Sequence, residues 1–334
     1  MGKIDKTRKG LNRREFIARS AAATFAASIA PGALLAGDSK FHPIPSSPLP
    51  GRAFGSTGAR IPILTFGCGS RWMMYEDDEA VEVINQAIDS GIIYLDSAHT
   101  YGRNGRSEKL IGRIMPARRK NVLIQTKIQN RDKDQWWKDL ETSLARMNVD
   151  YVDTLLIHSL GDDEDLAALE VKGGPIEQLY KAREQKLARW IGVSSHTNSQ
   201  TLARLLRSHK LDTVQMALNV ATNNARDMGF EENALPLAVE QKMGIIAMKV
   251  MGQDQIVGKY DKFDYATCLR YALSLPVSSA TVGMPRREHL AANLEVVKAF
   301  EPYSEEQMKK IKARAGEEIR TSFADFMAGH QDVA

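Results

Sequence analysis

The chain has 334 residues, 43% of them hydrophobic, which is enough for one large core. Its formal charge of +4 is unevenly placed: residues 1–36 hold seven of the 45 Lys and Arg but two of the 41 acids, so this leader carries +5 and the rest −1. The body therefore has no electrostatic case for nucleic-acid binding, and its two cysteines, Cys68 and Cys268, make no disulfide framework and carry no metal-ligand spacing.

Residues 1–36 have the three parts of an export signal. A basic stretch ends in Asn12-Arg13-Arg14-Glu15-Phe16-Ile17, an uncharged Ala-rich segment runs from Ser20 to Ala36, and small residues close it. That segment is too short and too weakly apolar to span a bilayer, so no stable membrane span is expected in the mature form. Arg-Arg-x-Phe-Ile is similar to the twin-arginine (Tat) signal, whose pathway carries folded proteins. The likeness implies the Tat export machinery as a partner, a periplasmic location and cleavage after Ala36; a basic amphipathic helix is the alternative. Residues 37–50 follow, with four prolines between Phe41 and Pro50, and read as an extended linker.

From Arg52 to Pro62 Gly-rich turn chemistry between apolar flanks predicts a β-hairpin. Short β-branched runs then predict strands at 63–67, 92–96, 122–127, 153–158, 189–193, 213–216, 244–248 and 278–281. Amphipathic segments between them predict helices near 77–90, 106–115, 132–147, 173–187, 199–208, 230–243 and 262–274, with an eighth at 287–299. Eight strands alternating with eight helices over residues 51–300 make an α/β chain with the count and size of a (β/α)8 TIM barrel. Lys249–Asp261 is the longest irregular stretch, a candidate cofactor clasp. Residues 301–334 form a C-terminal extension in which Glu305–Ala328 reads as one or two helices.

Three predicted strands end in Asp96, Lys127 and His158, and Tyr101-Gly102 follows the first of them. In a parallel barrel such strand ends meet at one face, where these barrels keep their chemistry. A Lys cation beside a phenol makes its proton easier to give up, an Asp can hold the Lys, and a His can orient a carbonyl oxygen. The four together form a proton-donating set.

The run Leu95-Asp96-Ser-Ala-His-Thr-Tyr101-Gly102, with Ser107-Glu108 before a helix, resembles the aldo-keto reductase family over about 250 residues. The resemblance implies hydride transfer between a nicotinamide cofactor and a small-molecule carbonyl substrate. It makes Tyr101 the general acid, Lys127 its modulator, Asp96 the partner of Lys127, and His158 the orienting group. It also implies that Ser194 and Gln215 hydrogen-bond the nicotinamide carboxamide, with Ser195 replacing the usual Asn. Met248 stands where the family often stacks an aromatic on the ring. The segment with Gly283, Met284, Arg286, Arg287, His289 and Asn293 resembles the family's adenosine-phosphate loop. Gly283 and His289 replace a Lys and an Arg common in NADP-preferring members, and Ala292 replaces an acid. Arg286 and Arg287 can substitute as 2′-phosphate partners, so NADP(H) is expected over NAD(H).

Cys68 and Trp72 are candidate pocket walls. The two cysteines stay as thiols or form one long-range bridge. The rival reading is a non-catalytic, cofactor-binding regulatory barrel of the same fold. A metal-dependent hydrolase lacks a clustered His/Asp ligand set.

Overall fold

The computed structural model describes residues 40–222, 228–258 and 263–329. The leader with its export signal and cleavage site, the first residues of the predicted linker, residues 259–261 of the predicted clasp and the last five residues lie outside the described residues.

The short apolar runs form strands because each is buried on both faces, a demand that only a covered parallel sheet makes. They are β3 (Leu64–Gly67), β4 (Tyr94–Asp96), β5 (Leu123–Ile128), β6 (Val152–Ile157), β7 (Ala188–Ser195), β8 (Thr213–Ala217), β9 (Gly244–Met248) and β10 (Ser279–Val282). All pair in parallel in sequence order, and β10 returns to β3 to close the barrel. The predicted hairpin is β1 (Gly51–Ala53) against β2 (Arg60–Pro62), antiparallel with Gly51 opposite Pro62.

The surrounding helices are α1 (Asp77–Asp89), α2 (Arg106–Ile114), α3 (Lys133–Met147), α4 (Asp163–Glu170), α5 (Pro175–Glu184) and α6 (Ser199–Ser208). They continue as α7 (Phe230–Asn233), α8 (Leu235–Glu240), α9 (Tyr265–Ser274), α10 (Arg287–Lys298) and α11 (Glu305–Ala328). Side-chain caps set several starts: Asp132 before α3, Asn198 before α6, Asp264 before α9, and a Ser304–Gln307 capping box before α11.

Where the structure departs from the periodicity, a local reason is visible. The helix expected over 230–243 breaks at Ala234, because Pro236 cannot donate to the preceding turn. α5 begins at Pro175, since Gly173 has φ +76°. α4 was not expected, although Asp162 caps it and acids fill its first turn. α11 is kinked at Gly316, where φ is +67°. The proline-rich segment from Lys40 has no regular structure but is held on the barrel: the Phe41 ring lies 4.9 Å from that of Tyr151, and Ser47 Oγ donates to Gly91 O. Both cysteines are buried and unlinked.

The hairpin plugs one end of the barrel. Phe54, Ala59 and Ile61 join Tyr94, Leu123, Trp190 and Ile246 in one cluster, with Phe54 edge-on to Tyr94 at 5.7 Å and to Trp190 at 5.3 Å. Phe54 is wholly buried, so Phe54→Ala should lower unfolding free energy by about 3–5 kcal/mol. Urea unfolding checks this, and a loss under 1 kcal/mol, on the order of a surface substitution, would show that the plug carries no packing energy.

Candidate active site

The register of the first strands brings the predicted proton-donating set together. Asp96, the last residue of β4, lies opposite Gln125 on β5, and Lys127 lies opposite Leu156, two residues before His158. Lys127 is 1% exposed, and its ammonium has three acceptors for three protons. Nζ donates to Asp96 Oδ1 at 2.5 Å, to Ser97 O at 2.7 Å and to the Tyr101 hydroxyl at 3.4 Å. It also stands 4.9 Å from the Tyr101 ring centroid. The His158 ring meets that of Tyr101 edge-on at 5.7 Å, and His196 stands 6.2 Å beyond it.

Asp96 is equally committed. Gln125 Nε2 donates to Oδ1 at 2.6 Å and Gln215 Nε2 to Oδ2 at 2.7 Å. Three donors thus converge on one buried carboxylate and fix its position beside the Lys127 ammonium. The Cys68 thiol beside this pair is pushed well up by burial and then by the Asp96 charge, so it stays neutral.

The loop that carries Tyr101 is clamped from behind. The wholly buried Glu108 accepts from Thr126 Oγ1 at 2.7 Å and from Arg146 Nη1 at 3.2 Å, and Arg146 also donates to His99 O at 3.0 Å. Two glycines leave room for this clamp. A Cβ on Gly105, which has φ +68°, would lie 2.2 Å from Arg146 Nη1, and one on Gly112 would lie 2.1 Å from Arg146 O. On the far side Arg131 donates to the carbonyls of His158 and Ser159 and is itself held by Asp165.

A cavity of about 490 Å³ opens at these strand ends, with Asp96, Tyr101 and His196 in its wall. Among the residues expected to bind cofactor, Met248, Gly283, Arg286, His289 and Asn293 line it. Ser194, Ser195, Gln215, Met284 and Arg287 do not. Ser194 Oγ accepts from Ser159 N–H, Ser195 Oγ donates to Leu160 O, and Gln215 is turned to Asp96. Met284 is wholly buried, and Arg287 is tied to Glu79 and Glu82 on α1. Cys68 and Trp72 are buried behind the cavity and form no part of its surface; Trp72 Nε1 donates to Ala80 O. Sequence reasoning did not single out Gln125, Arg71 or His196, whereas Lys249 on the cavity wall opens the predicted cofactor clasp. His196 follows the strand-end Ser194-Ser195 pair directly, which was a usable signal.

The lining suits a dinucleotide. Gly67 and Gly283 adjoin at the ends of β3 and β10: a Cβ on Gly67 would lie 3.0 Å from Gly283 N, and one on Gly283 would lie 2.7 Å from Arg71 Cβ. The missing side chains let β3, β10 and Arg71 pack together here, and both glycines present backbone to the cavity. Asn293 Nδ2 donates to His289 O at 2.7 Å, while its buried Oδ1 has no acceptor role filled among the described residues and suits an amino donor. Burial, then the Arg286 charge, holds the His289 imidazole below its ordinary value. With Arg287 bound to acids, Arg286, beside the N-terminus of α10, and Arg71, against Gly283, are cations presented at this end. No group of three or more His, Cys, Asp or Glu able to hold a metal occurs among the described residues, and no described helix is long and apolar enough to cross a membrane.

A family profile described as the aldo/keto reductase family matches residues 64–267. A curated aldo-keto reductase of Bacillus subtilis is 26% identical over 218 residues, covering 61% of this chain and 62% of that protein. The chain spans about three fifths of the length of the first curated relatives it matches. Among solved structures, the holo form of an aldo-keto reductase from Bacillus halodurans superposes with TM-score 0.68 at 19% identity, covering 81% of this chain and 99% of the other. An aldo-keto reductase from Klebsiella pneumoniae in complex with NADPH gives TM-score 0.61 at 18% identity, covering 78% and 93%.

The Arg131–Asp165 pair makes a pH-dependent contribution. Burial alone would raise the Asp165 carboxyl, but the Arg131 hydrogen bond and charge and the Gly161 N–H outweigh it and hold the group below its ordinary value. A depressed carboxyl contributes stability that is present above its unfolded pKa and lost as pH falls through the folded one. Asp165→Asn should therefore cost about 1 kcal/mol at neutral pH, because the pair is partly exposed. That gap should close in acid, below about pH 3. Urea midpoints of both proteins across this range check it; a gap that persists in acid contradicts the assignment.

Proposed function

The chain belongs to the aldo/keto reductase family, and from that premise we propose that it reduces aldehyde or ketone carbonyls with NADP(H), or oxidises the matching alcohols. The observation that carries this reading is the Tyr101 hydroxyl, held 3.4 Å from an ammonium in the wall of a cavity that suits a dinucleotide.

When bound, the nicotinamide supplies or accepts the hydride at the carbonyl carbon. The protein must then manage the charge that gathers on the carbonyl oxygen. Tyr101 gives that oxygen its proton, and the Lys127 ammonium stabilises the phenolate left behind. At 3.4 Å and an effective dielectric of ~20 this attraction is worth about 5 kcal/mol before Asp96 offsets part of it. Asp96 keeps the ammonium from following the transferred charge outward. His158, wholly buried and not part of the cavity wall, packs edge-on against Tyr101 and fixes its ring, while His196 is the imidazole on the wall that can orient the carbonyl oxygen. In the reverse direction the same groups return the proton. Arg286 supports the preference for NADP(H), because guanidinium matches phosphate geometry and the neighbouring His289 is kept neutral.

The protein without residues 1–36 should consume NADPH faster than NADH with small aldehydes, measured as loss of nicotinamide absorbance. Tyr101→Phe should lower kcat by roughly 10²–10⁴-fold, and Arg286→Ala should remove the preference for NADPH. Turnover that survives Tyr101→Phe rules out this mechanism, and an unchanged ratio in Arg286→Ala rules out the coenzyme assignment.

The Arg13-Arg14-x-Phe16-Ile17 run supports Tat export to the periplasm after the barrel has folded around its cofactor. Paired Arg13→Lys and Arg14→Lys substitutions should leave the protein in the cytoplasmic fraction of a Tat-competent host. Periplasmic recovery at the wild-type level would reject the export reading.

A further inference from the structure

Gln125 on β5 and Gln215 on β8 are both buried, and neither lines the cavity. Amides inside a barrel need a reason, since branched apolar side chains fill such layers without desolvating polar atoms. Their hydrogen bonds supply it. Gln125 Nε2 donates to Asp96 Oδ1 at 2.6 Å and to Gln215 Oε1 at 3.0 Å, while its Oε1 accepts the Tyr94 hydroxyl at 3.1 Å. The Tyr94 oxygen is in turn hydrogen-bonded to Thr154 Oγ1 at 2.6 Å. A continuous chain of bonds thus runs from Thr154 on β6 to the carboxylate of Asp96 on β4.

We propose that Gln125 is a positioning residue for the proton donor: it fixes the Asp96 carboxylate, which in turn sets where Lys127 holds its ammonium against Tyr101. The inference rests on the proposed reductase reading for its kinetic consequence. Asp96 Oδ1 accepts from Gln125 and Lys127 together, so rotation of the carboxylate would carry the ammonium with it. The contact most sensitive to such a shift is the longest, from Nζ to the Tyr101 hydroxyl at 3.4 Å. Gln215 shares the grip on Asp96, but its Nε2 also reaches Thr281 Oγ1 at 3.3 Å. Gln125 is the partner set between Asp96 and the Tyr94–Thr154 anchor. Losing its donor also leaves more of the Asp96 charge bearing on Lys127, which weakens the field at Tyr101.

The ionisable groups beside Tyr101 are Lys127, Asp96 behind it and His158, and the cavity wall carries His196, Arg71, Lys249, Tyr265, Arg286 and His289. Cys68 beside Asp96 stays neutral. Of these, Asp96 is bonded to Gln125 directly and Lys127 through it, so the predicted change is specific to that pair.

The test uses protein carrying tyrosine labelled at Cζ, with the Tyr101 resonance identified by its absence in Tyr101→Phe. In Gln125→Leu the ionisation midpoint of Tyr101 should move to higher pH. In turnover, kcat should fall roughly ten- to a hundredfold, with KM for nucleotide and aldehyde within about twofold of wild type. Added to Tyr101→Phe, the substitution should cost nothing further, because it acts through the phenol. Gln125→Met serves if the Leu variant does not fold. A folded variant with wild-type midpoint and kcat overturns the proposal. An additional loss in the Tyr101→Phe background does so as well. A wild type without turnover would defeat the reductase reading alone, leaving the midpoint shift to decide the role of Gln125.

Discussion

Burying the Lys127 ammonium is the most demanding thing this fold does. An ion of that size loses several kcal/mol of hydration on leaving water, and the loss is recovered only with close, well-directed partners. Asp96 at 2.5 Å, Ser97 O at 2.7 Å and the Tyr101 hydroxyl at 3.4 Å provide them. Each lies on β4 or the loop after it, so the register of β4 against β5 is tied to the neutralisation of one charge. A slip of one residue would turn Asp96 from the interior and leave the ammonium unmatched.

The same requirement explains how tightly the loop from Asp96 to Gly105 is held. It is bonded to β5 through Ser97 N to Gln125 O and His99 N to Lys127 O, and it is backed by the Glu108–Arg146 pair. Gly105 and Gly112 serve that pair by their missing side chains, because Arg146 occupies the space a Cβ would need. A tyrosine on an irregular loop thereby gains the positional precision of a strand residue.

The cavity has two chemically different ends. One is a polar floor of Asp96, Tyr101 and His196; the other is formed by Gly67 and Gly283 with Arg71, Arg286, His289 and Asn293. On the proposed reading, a dinucleotide would lay its phosphates toward the arginines and a helix N-terminus and its nicotinamide toward Tyr101. The arrangement suits a reaction in which hydride and proton arrive from different sources at adjacent atoms.

What the sequence determined by itself was the alternation of elements and the identity of the groups at the strand ends. Parallel barrel strands are buried on both faces and read as apolar runs, so all eight were visible within a residue or two, and Asp96, Lys127 and His158 stood at their ends. Helix ends were less legible where one backbone property overrides the periodicity, as at Pro236 and Gly173. The tertiary structure alone decided which polar side chains face the cavity and which face each other. Gln215 turns to Asp96, Arg287 to α1, and Ser194 and Ser195 to neighbouring backbone, while Gln125 becomes part of the site. Those choices depend on partners contributed by other strands and helices, and a hydrogen bond between residues 119 apart in the chain leaves no trace in local spacing.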